Sequence, residues 1–270
     1  MGVETIGLIA GQGEFPVLFA EAARSLKTDV FVFGLEGVTD KKVESFAREA
    51  YYVGLGALSD LVDALKKTKI RNVVLAGGIP KREIFNPGLH MDDTARGFIA
   101  QNGNKGDDHL LRAFRFFLKA RCGVNVVDSR RFLKNAMAPK GVLTKRPPTA
   151  AEWQDLKFGF KIAKAIGKLD IGQTVVVKNG VVLAVEAIEG TDRAIRRAGE
   201  IGRANVVVVK TAKPGQDLRF DLPCVGVGTI DSIKAAGSGV LGVEAGKTIL
   251  LSGENFIPAA DRAGIAVVGL

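Results

Sequence analysis

Apolar positions along this chain fall into a repeating strand and helix rhythm. Val3–Ala10 reads as a strand, and the glycine turn Gly11-Gln12-Gly13-Glu14-Phe15-Pro16 leads from it into an amphipathic helix reaching about Lys27. Asp29–Gly34 is a second strand. Leu58, Leu61, Val62 and Leu65 repeat at helical spacing within Ala57–Lys67, and Arg71–Ala76 is a strand that ends in Gly77-Gly78. Strand, glycine turn, helix, strand is the order of a parallel α/β layer. Leu110, Leu111, Phe114, Phe117 and Leu118 mark one side of a helix over Asp107–Arg121, and Val124–Val127 is a further strand.

Between Ala138 and Ala150 the rhythm breaks at Pro139, Gly141 and Lys145-Arg146-Pro147-Pro148-Thr149. Paired prolines exclude regular structure and predict a stiff connector. Beyond it come a helix over Ala151–Ile166 and two strands, Thr174–Lys178 and Val181–Glu186, joined at Asn179-Gly180, a strong hairpin signal. A helix opens at Thr191, a good N-cap, and runs to about Gly202. Strands follow at Asn205–Lys210, Pro223–Val227, Gly239–Val243 and Ile265–Val268. The expected architecture is α/β in two domains. A Rossmann-like parallel layer occupies 1–138, a linker 139–150, and a mixed α/β catalytic domain 151–270.

Composition narrows the chemistry. The 270 residues are 47% hydrophobic and 25% charged, as in a globular protein. No stretch approaches the roughly 18–20 apolar residues that span a bilayer, and no signal peptide opens the chain, so a cytoplasmic location is expected. The two cysteines, Cys122 and Cys224, lack ligand spacing, and His90 and His109 are the only histidines. Histidine-based zinc chemistry is thereby disfavoured, and an expected metal is oxygen-ligated, with magnesium the natural candidate. The net charge of +9 admits nucleic acid, an anionic membrane surface or a polyanionic small molecule as partner. No aromatic-basic RNA-binding motif accompanies it, which argues against sequence-specific nucleic-acid binding.

Several clusters could carry chemistry, each with a plainer reading beside it. Gly11 and Gly13 sit at a strand-to-helix turn whose amides can hold phosphate, or simply make a tight turn; Pro16 stands where a dinucleotide fingerprint needs its third glycine. Asp107 and Asp108 open a helix and suit dipole capping as well as substrate contact. Glu186 ends a strand of Val and Leu, where a lone carboxylate is costly, and Glu189, Thr191 and Asp192 flank the following glycine turn. Asp221 enters an apolar strand beside Arg219, either as an ion pair or as a metal-binding or water-orienting carboxylate. Lys213, Gln216 and Arg219 offer donors to phosphate oxygens. Gly246-Lys247-Thr248 ends like a phosphate loop, but Leu241 stands where its first glycine belongs.

Taken in order, Gly7–Pro16, Lys105–Arg112, Asp170–Gln173, Leu183–Arg197, Lys210–Ile230 and Glu244-Ala245-Gly246 resemble the LpxI-type UDP-2,3-diacylglucosamine diphosphatases of Gram-negative lipid A synthesis. The resemblance runs through nearly the whole chain. It implies magnesium-dependent hydrolysis of UDP-2,3-diacylglucosamine to UMP and 2,3-diacylglucosamine 1-phosphate by two α/β domains with the site in a cleft between them. It maps the family's essential Asp-Leu-Pro aspartate onto Asp221 and turns Gly11 and Gly13 toward the UDP half. Asp221, Asp192 and Glu186 become candidate metal ligands, Glu189 a further catalytic carboxylate, and Lys213, Gln216 and Arg219 phosphate contacts, with Asp107, Asp108 and Thr191 also on the substrate. Peripheral contact with the inner membrane is expected, and a homodimer is left open. The rivals are a Rossmann oxidoreductase, against which Pro16 argues, and a non-catalytic nucleotide-binding protein.

Overall fold

The structure, a computed structural model, describes residues 4–79, 86, 88–103, 106–219 and 221–270. The chain divides into two compact units. Unit 1 holds residues up to Lys134 together with Asp217–Asp221, and unit 2 holds Asn135–Gln216 and Leu222–Leu270.

Unit 1 is a five-stranded parallel sheet in the order β3-β2-β1-β4-β5, from β1 (Thr5–Ala10), β2 (Asp29–Leu35), β3 (Glu49–Val53), β4 (Asn72–Ala76) and β5 (Asn125–Val126). Its α-helices among the described residues are α1 (Phe15–Ser25), α2 (Leu58–Thr68), α3 (Asp93–Asn102) and α4 (Asp107–Cys122). Buried Phe33, Leu65, Val73, Leu118 and Val124 close the core on one face of the sheet. The sequence pattern misses β3, because Glu49, Ala50 and two tyrosines do not read as an apolar run, and it misses α3, whose only buried residue is Ala95. Asp92 starts α3 by accepting the Ala95 amide at 2.7 Å.

Unit 2 contains β6 (Gly141–Val142), β7 (Thr174–Lys178), β8 (Val181–Val185), β9 (Val207–Lys210), β10 (Cys224–Val225), β11 (Val240–Val243), β12 (Ile249–Leu250) and β13 (Ala266–Gly269). Six of them form a mixed sheet, β6-β13-β11-β9-β7-β8, with β9, β11 and β13 mutually parallel, and β10 pairs with β12 apart from it. Alternation in β7 decides the layers. Val175 and Val177 pack on α5 (Ala150–Lys168) through Leu156 and Ala163. Val176 faces α6 (Thr191–Gly202), α7 (Val227–Ala235) and α8 (Phe256–Arg262) through Ile195, Ile233 and Phe256. At the hairpin, Asn179 and Gly180 both adopt positive φ, and buried Asp155 of α5 accepts their two amides at 2.7 Å.

The fold is thus the expected α/β pairing of a parallel sheet with a mixed one. Two boundaries differ from the sequence pattern. Residues 139–150 belong to unit 2 and supply β6, paired with β13, before Thr149 and Glu152 form the capping box of α5. The strand expected over Pro223–Val227 is only Cys224–Val225, since α7 begins at Val227. Among the described residues no helix is long and apolar enough to cross a membrane.

Candidate functional site

In a parallel sheet the carboxyl ends of the strands share one edge, which is where such sheets bind ligands. At that edge of unit 1, the Gly11 amide donates to the Ala76 carbonyl and the Gln12 amide to Gly78, both at 2.8 Å. A Cβ on Gly11 would run into the Gly78 carbonyl, so that glycine is required by packing of the two loops. Gly13 is required for another reason: its φ is +92°, with open space around the position of a side chain.

The same edge carries an arginine-aspartate network. Asp128 follows β5 and takes Arg130 through Nε at 3.0 Å and Nη2 at 2.6 Å. The segment Asp217–Asp221 joins unit 1 here. Asp217 pairs bidentately with Arg219, through Nε at 2.7 Å and through Nη2. The pairs sense one another. The hydrogen bonds from Arg219 outweigh burial and hold the Asp217 carboxyl below the ordinary range, helped by the charge of Arg115. Burial pushes Asp128 up, but Arg130 and the more distant Arg219 bring it below that range. Asp221 lies on this segment, its amide 3.4 Å from the Asp217 carbonyl. The structure places Asp221 and Arg219 in unit 1, as it does Gly11 and Gly13, and Glu186, Glu189 and Asp192 in unit 2. Asp107 and Asp108 open α4, and their side chains lie outside the described residues, as do Lys81, Arg82 and Lys105.

In unit 2 the ends of β8, β9 and β11 and the start of β7 meet at one edge of the sheet, with Thr174 opposite Lys210. Lys210 closes a strand of valines and is only 7% exposed. Its ammonium donates to the Thr191 hydroxyl at 2.9 Å, and that hydroxyl donates to Glu186 Oε1 at 2.8 Å. Burial pushes the Glu186 carboxyl up; the Lys210 charge, with bonds from Thr174, Thr191 and the Gln173 amide, brings it below its ordinary value. Glu186 Oε2 and Gln173 Oε1 are buried with no hydrogen-bond partner among the described residues. Next along the edge, Glu244 accepts Lys164 at 2.5 Å and the Ala212 amide at 2.9 Å.

The other expected residues of unit 2 are occupied differently. Glu189 accepts Arg197 at 2.7 Å and the Ala187 amide at 3.1 Å, which fixes the loop before α6. Asp192 is exposed in the first turn of α6. The Lys213 ammonium pairs with Asp170 at 2.6 Å, and Gln216 Oε1 accepts the Lys213 amide at 2.8 Å. Lys210 and Gln173 lie in segments the sequence marks, but the sequence assigns neither a role at the site. The signal that flagged Glu186, a charge at the end of an apolar strand, applies equally to Lys210 after four valines.

Magnesium takes hard oxygen donors and usually keeps one or two carboxylates, water and substrate phosphate. The unpartnered oxygens of Glu186 and Gln173 fit that chemistry. Among the described residues no three His, Cys, Asp or Glu side chains come together, so phosphate and water would complete the shell.

The sequence model of the LpxI N-terminal domain matches residues 5–136, and that of the LpxI C-terminal domain matches residues 139–268. A UDP-2,3-diacylglucosamine pyrophosphatase LpxI from Caulobacter vibrioides is 33% identical over 279 aligned positions, covering 98% of this chain and 97% of that protein. Among solved structures, the biotin carboxylase domain of the Hydrogenobacter thermophilus 2-oxoglutarate carboxylase aligns at 18% identity and a TM-score of 0.26, over 74% of this chain and 41% of that one. The biotin carboxylase subunit of a pyruvate carboxylase gives 16% and 0.25, over 68% and 36%. The chain spans less than half the length of those structures, and likeness at this level carries no argument.

Proposed function

The chain belongs to the LpxI family, and from that premise we propose that it hydrolyses the pyrophosphate of UDP-2,3-diacylglucosamine to UMP and 2,3-diacylglucosamine 1-phosphate. One observation carries the reading: identity to a pyrophosphatase of that name extends over 98% of the chain. Hydrolysis of a pyrophosphate needs a positioned water, cations on the charged oxygens and stabilisation of the leaving phosphate.

Asp221 is the carboxylate assigned to the attacking water. Its support is its place in Asp221-Leu222-Pro223 and on the edge of unit 1 that carries the glycine loops. The loop at Gly11 and Gly13 receives the nucleotide half; the Gly11 and Gln12 amides are taken by Ala76 and Gly78, so phosphate would meet the turn beyond them, at Gly13. Magnesium is the proposed metal, held by Glu186 Oε2 together with substrate phosphate; when bound it neutralises charge on the phosphate oxygens. Lys210 keeps Glu186 ionised, as a metal-binding carboxylate must be. Because the substrate is diacylated, peripheral contact with a membrane surface belongs to the same reading.

The test is a magnesium-dependent assay on UDP-2,3-diacylglucosamine dispersed in detergent, with products identified by mass. UMP and the sugar 1-phosphate should appear with magnesium and stop on chelation. No UMP at high enzyme concentration would favour a non-catalytic nucleotide-binding protein, and tight NAD(P)H binding without UMP binding would favour an oxidoreductase.

A further inference from the structure

The amino-terminal edge of the unit 1 sheet, away from the glycine loops, carries a surface that the proposed chemistry does not use. A cavity of about 560 Å³ opens there between the ends of α2 and α4 and the starts of β4 and β5. Lys66, Lys69, Arg71 and Lys119 line it, and its lining includes no carboxylate. Lys119 is placed by a 2.8 Å bond to Asn125 at the start of β5.

Lys119 also belongs to the outer face of α4. Phe116 lies on that face, one turn from Arg112 and one from Lys119, and is 64% exposed. From His109 to Cys122 the helix has four cations and no carboxylate. The Arg115 guanidinium lies 5.2 Å from the centre of the Phe116 ring. Behind the helix Phe114 and Phe117 pack on Phe98 of α3, with centroids 6.1 and 5.5 Å away, so the helix is anchored by one set of rings while Phe116 faces outward. Asp63, on α2, is the carboxylate whose charge reaches Cys122 against those of Lys66 and Arg121. Cations remain in excess there.

We propose that this edge of unit 1 docks on an anionic phospholipid surface. Lys66, Lys69, Arg71 and Lys119 take the phosphodiester headgroups, and Phe116 enters the boundary between headgroups and acyl chains. Charge complementarity selects the partner: the basic face is drawn to anionic headgroups, and the one outward ring adds an apolar contact at their boundary. A single-stranded nucleic acid would use a row of aromatic platforms, and this face offers one exposed ring. The inference deepens the membrane contact proposed above and rests on it, but vesicle binding needs no catalysis.

The experiment is co-sedimentation of the full chain with phosphatidylcholine vesicles, alone or with roughly a third phosphatidylglycerol, at low and high salt. Binding is expected on the anionic vesicles only, and weaker in high salt. Phe116→Ser should reduce it several-fold, and Lys66→Glu with Lys69→Glu by at least about 25-fold, from about fivefold per cation lost. Each variant should hydrolyse detergent-dispersed substrate at the wild-type rate, and Asp221→Ala should bind vesicles as wild type does. Equal binding to neutral vesicles, or wild-type binding by both surface variants, overturns the proposal. So does displacement from vesicles by single-stranded DNA, or by inorganic phosphate at matched ionic strength. Loss of hydrolysis with vesicle binding intact would instead count against the catalytic reading.

Discussion

Replacing Lys210 by methionine keeps most of the side-chain stem and removes the charge that holds Glu186 ionised. In the native protein Glu186 titrates below its ordinary 4.5, because Lys210 and three hydrogen-bond donors outweigh burial. A carboxyl whose folded pKa is lowered adds stability above its unfolded value, and that contribution is lost as pH falls through the folded value. Without the ammonium, burial dominates, the folded pKa rises, and the sign reverses. The penalty is then complete above the raised pKa and absent below about 4.5. Protonation also limits it. Neutralising a group of ordinary pKa 4.5 at pH 7 costs about 3.4 kcal/mol, and at pH 5 about 0.7 kcal/mol. Lys210→Met should therefore destabilise unit 2 by about 2–3 kcal/mol at pH 7, toward the lower end of what breaking a buried pair costs, and by less at pH 5, where protonation relieves the burial penalty and only the lost native contribution remains. Two units need not unfold together, so the assay is urea-dependent hydrogen exchange at Val207–Lys210, which reports on unit 2 alone. Glu186→Gln with Lys210→Met removes both charges and should recover most of the loss. A penalty equal at both pH values, or a double variant no better than the single one, would refute the electrostatic account.

Three further outcomes are expected. Asp221→Ala should abolish turnover with the fold nearly intact by circular dichroism, and a rate near wild type would remove it from the chemistry. Gly11→Ala should cost about 1–3 kcal/mol by forcing a methyl against the Gly78 carbonyl, whereas Gly13→Ala should cost only about 1–2 kcal/mol of left-handed strain; matched thermal melts compare them, and a Gly11 variant as stable as wild type would contradict the packing argument. Asp155→Ala leaves the Asn179 and Gly180 amides without their acceptor and should lower stability by about 1–3 kcal/mol in urea titration, against no change if the turn alone fixes the hairpin.

Strands rich in valine and the Asn179-Gly180 hairpin were legible because period and turn chemistry are local properties. So was the oddity of Glu186, since a carboxylate ending an apolar strand demands a partner. Its partner was not legible, because Thr174 and Lys210 meet only through β7–β9 pairing. Short elements were lost wherever tertiary contacts replace periodicity: β3, built on tyrosines, and α7, which Gly226 starts directly after a two-residue strand. Asp221 was marked by its motif, yet its grouping with Asp128 and Arg130 depends on a chain crossing that no spacing encodes.

That crossing has consequences for how the protein is made. Unit 1 takes Asp217–Asp221 from a stretch synthesised long after Lys134. A nascent chain can lay down the five-stranded sheet as it leaves the ribosome, but the arginine-aspartate lock waits for most of unit 2 to be translated. Cutting the gene between the units would leave each fragment short of a piece: the first without its aspartate strap, the second with five residues that have nowhere to settle. Placement of Asp221 is in this sense a late event, tied to completion of the polypeptide.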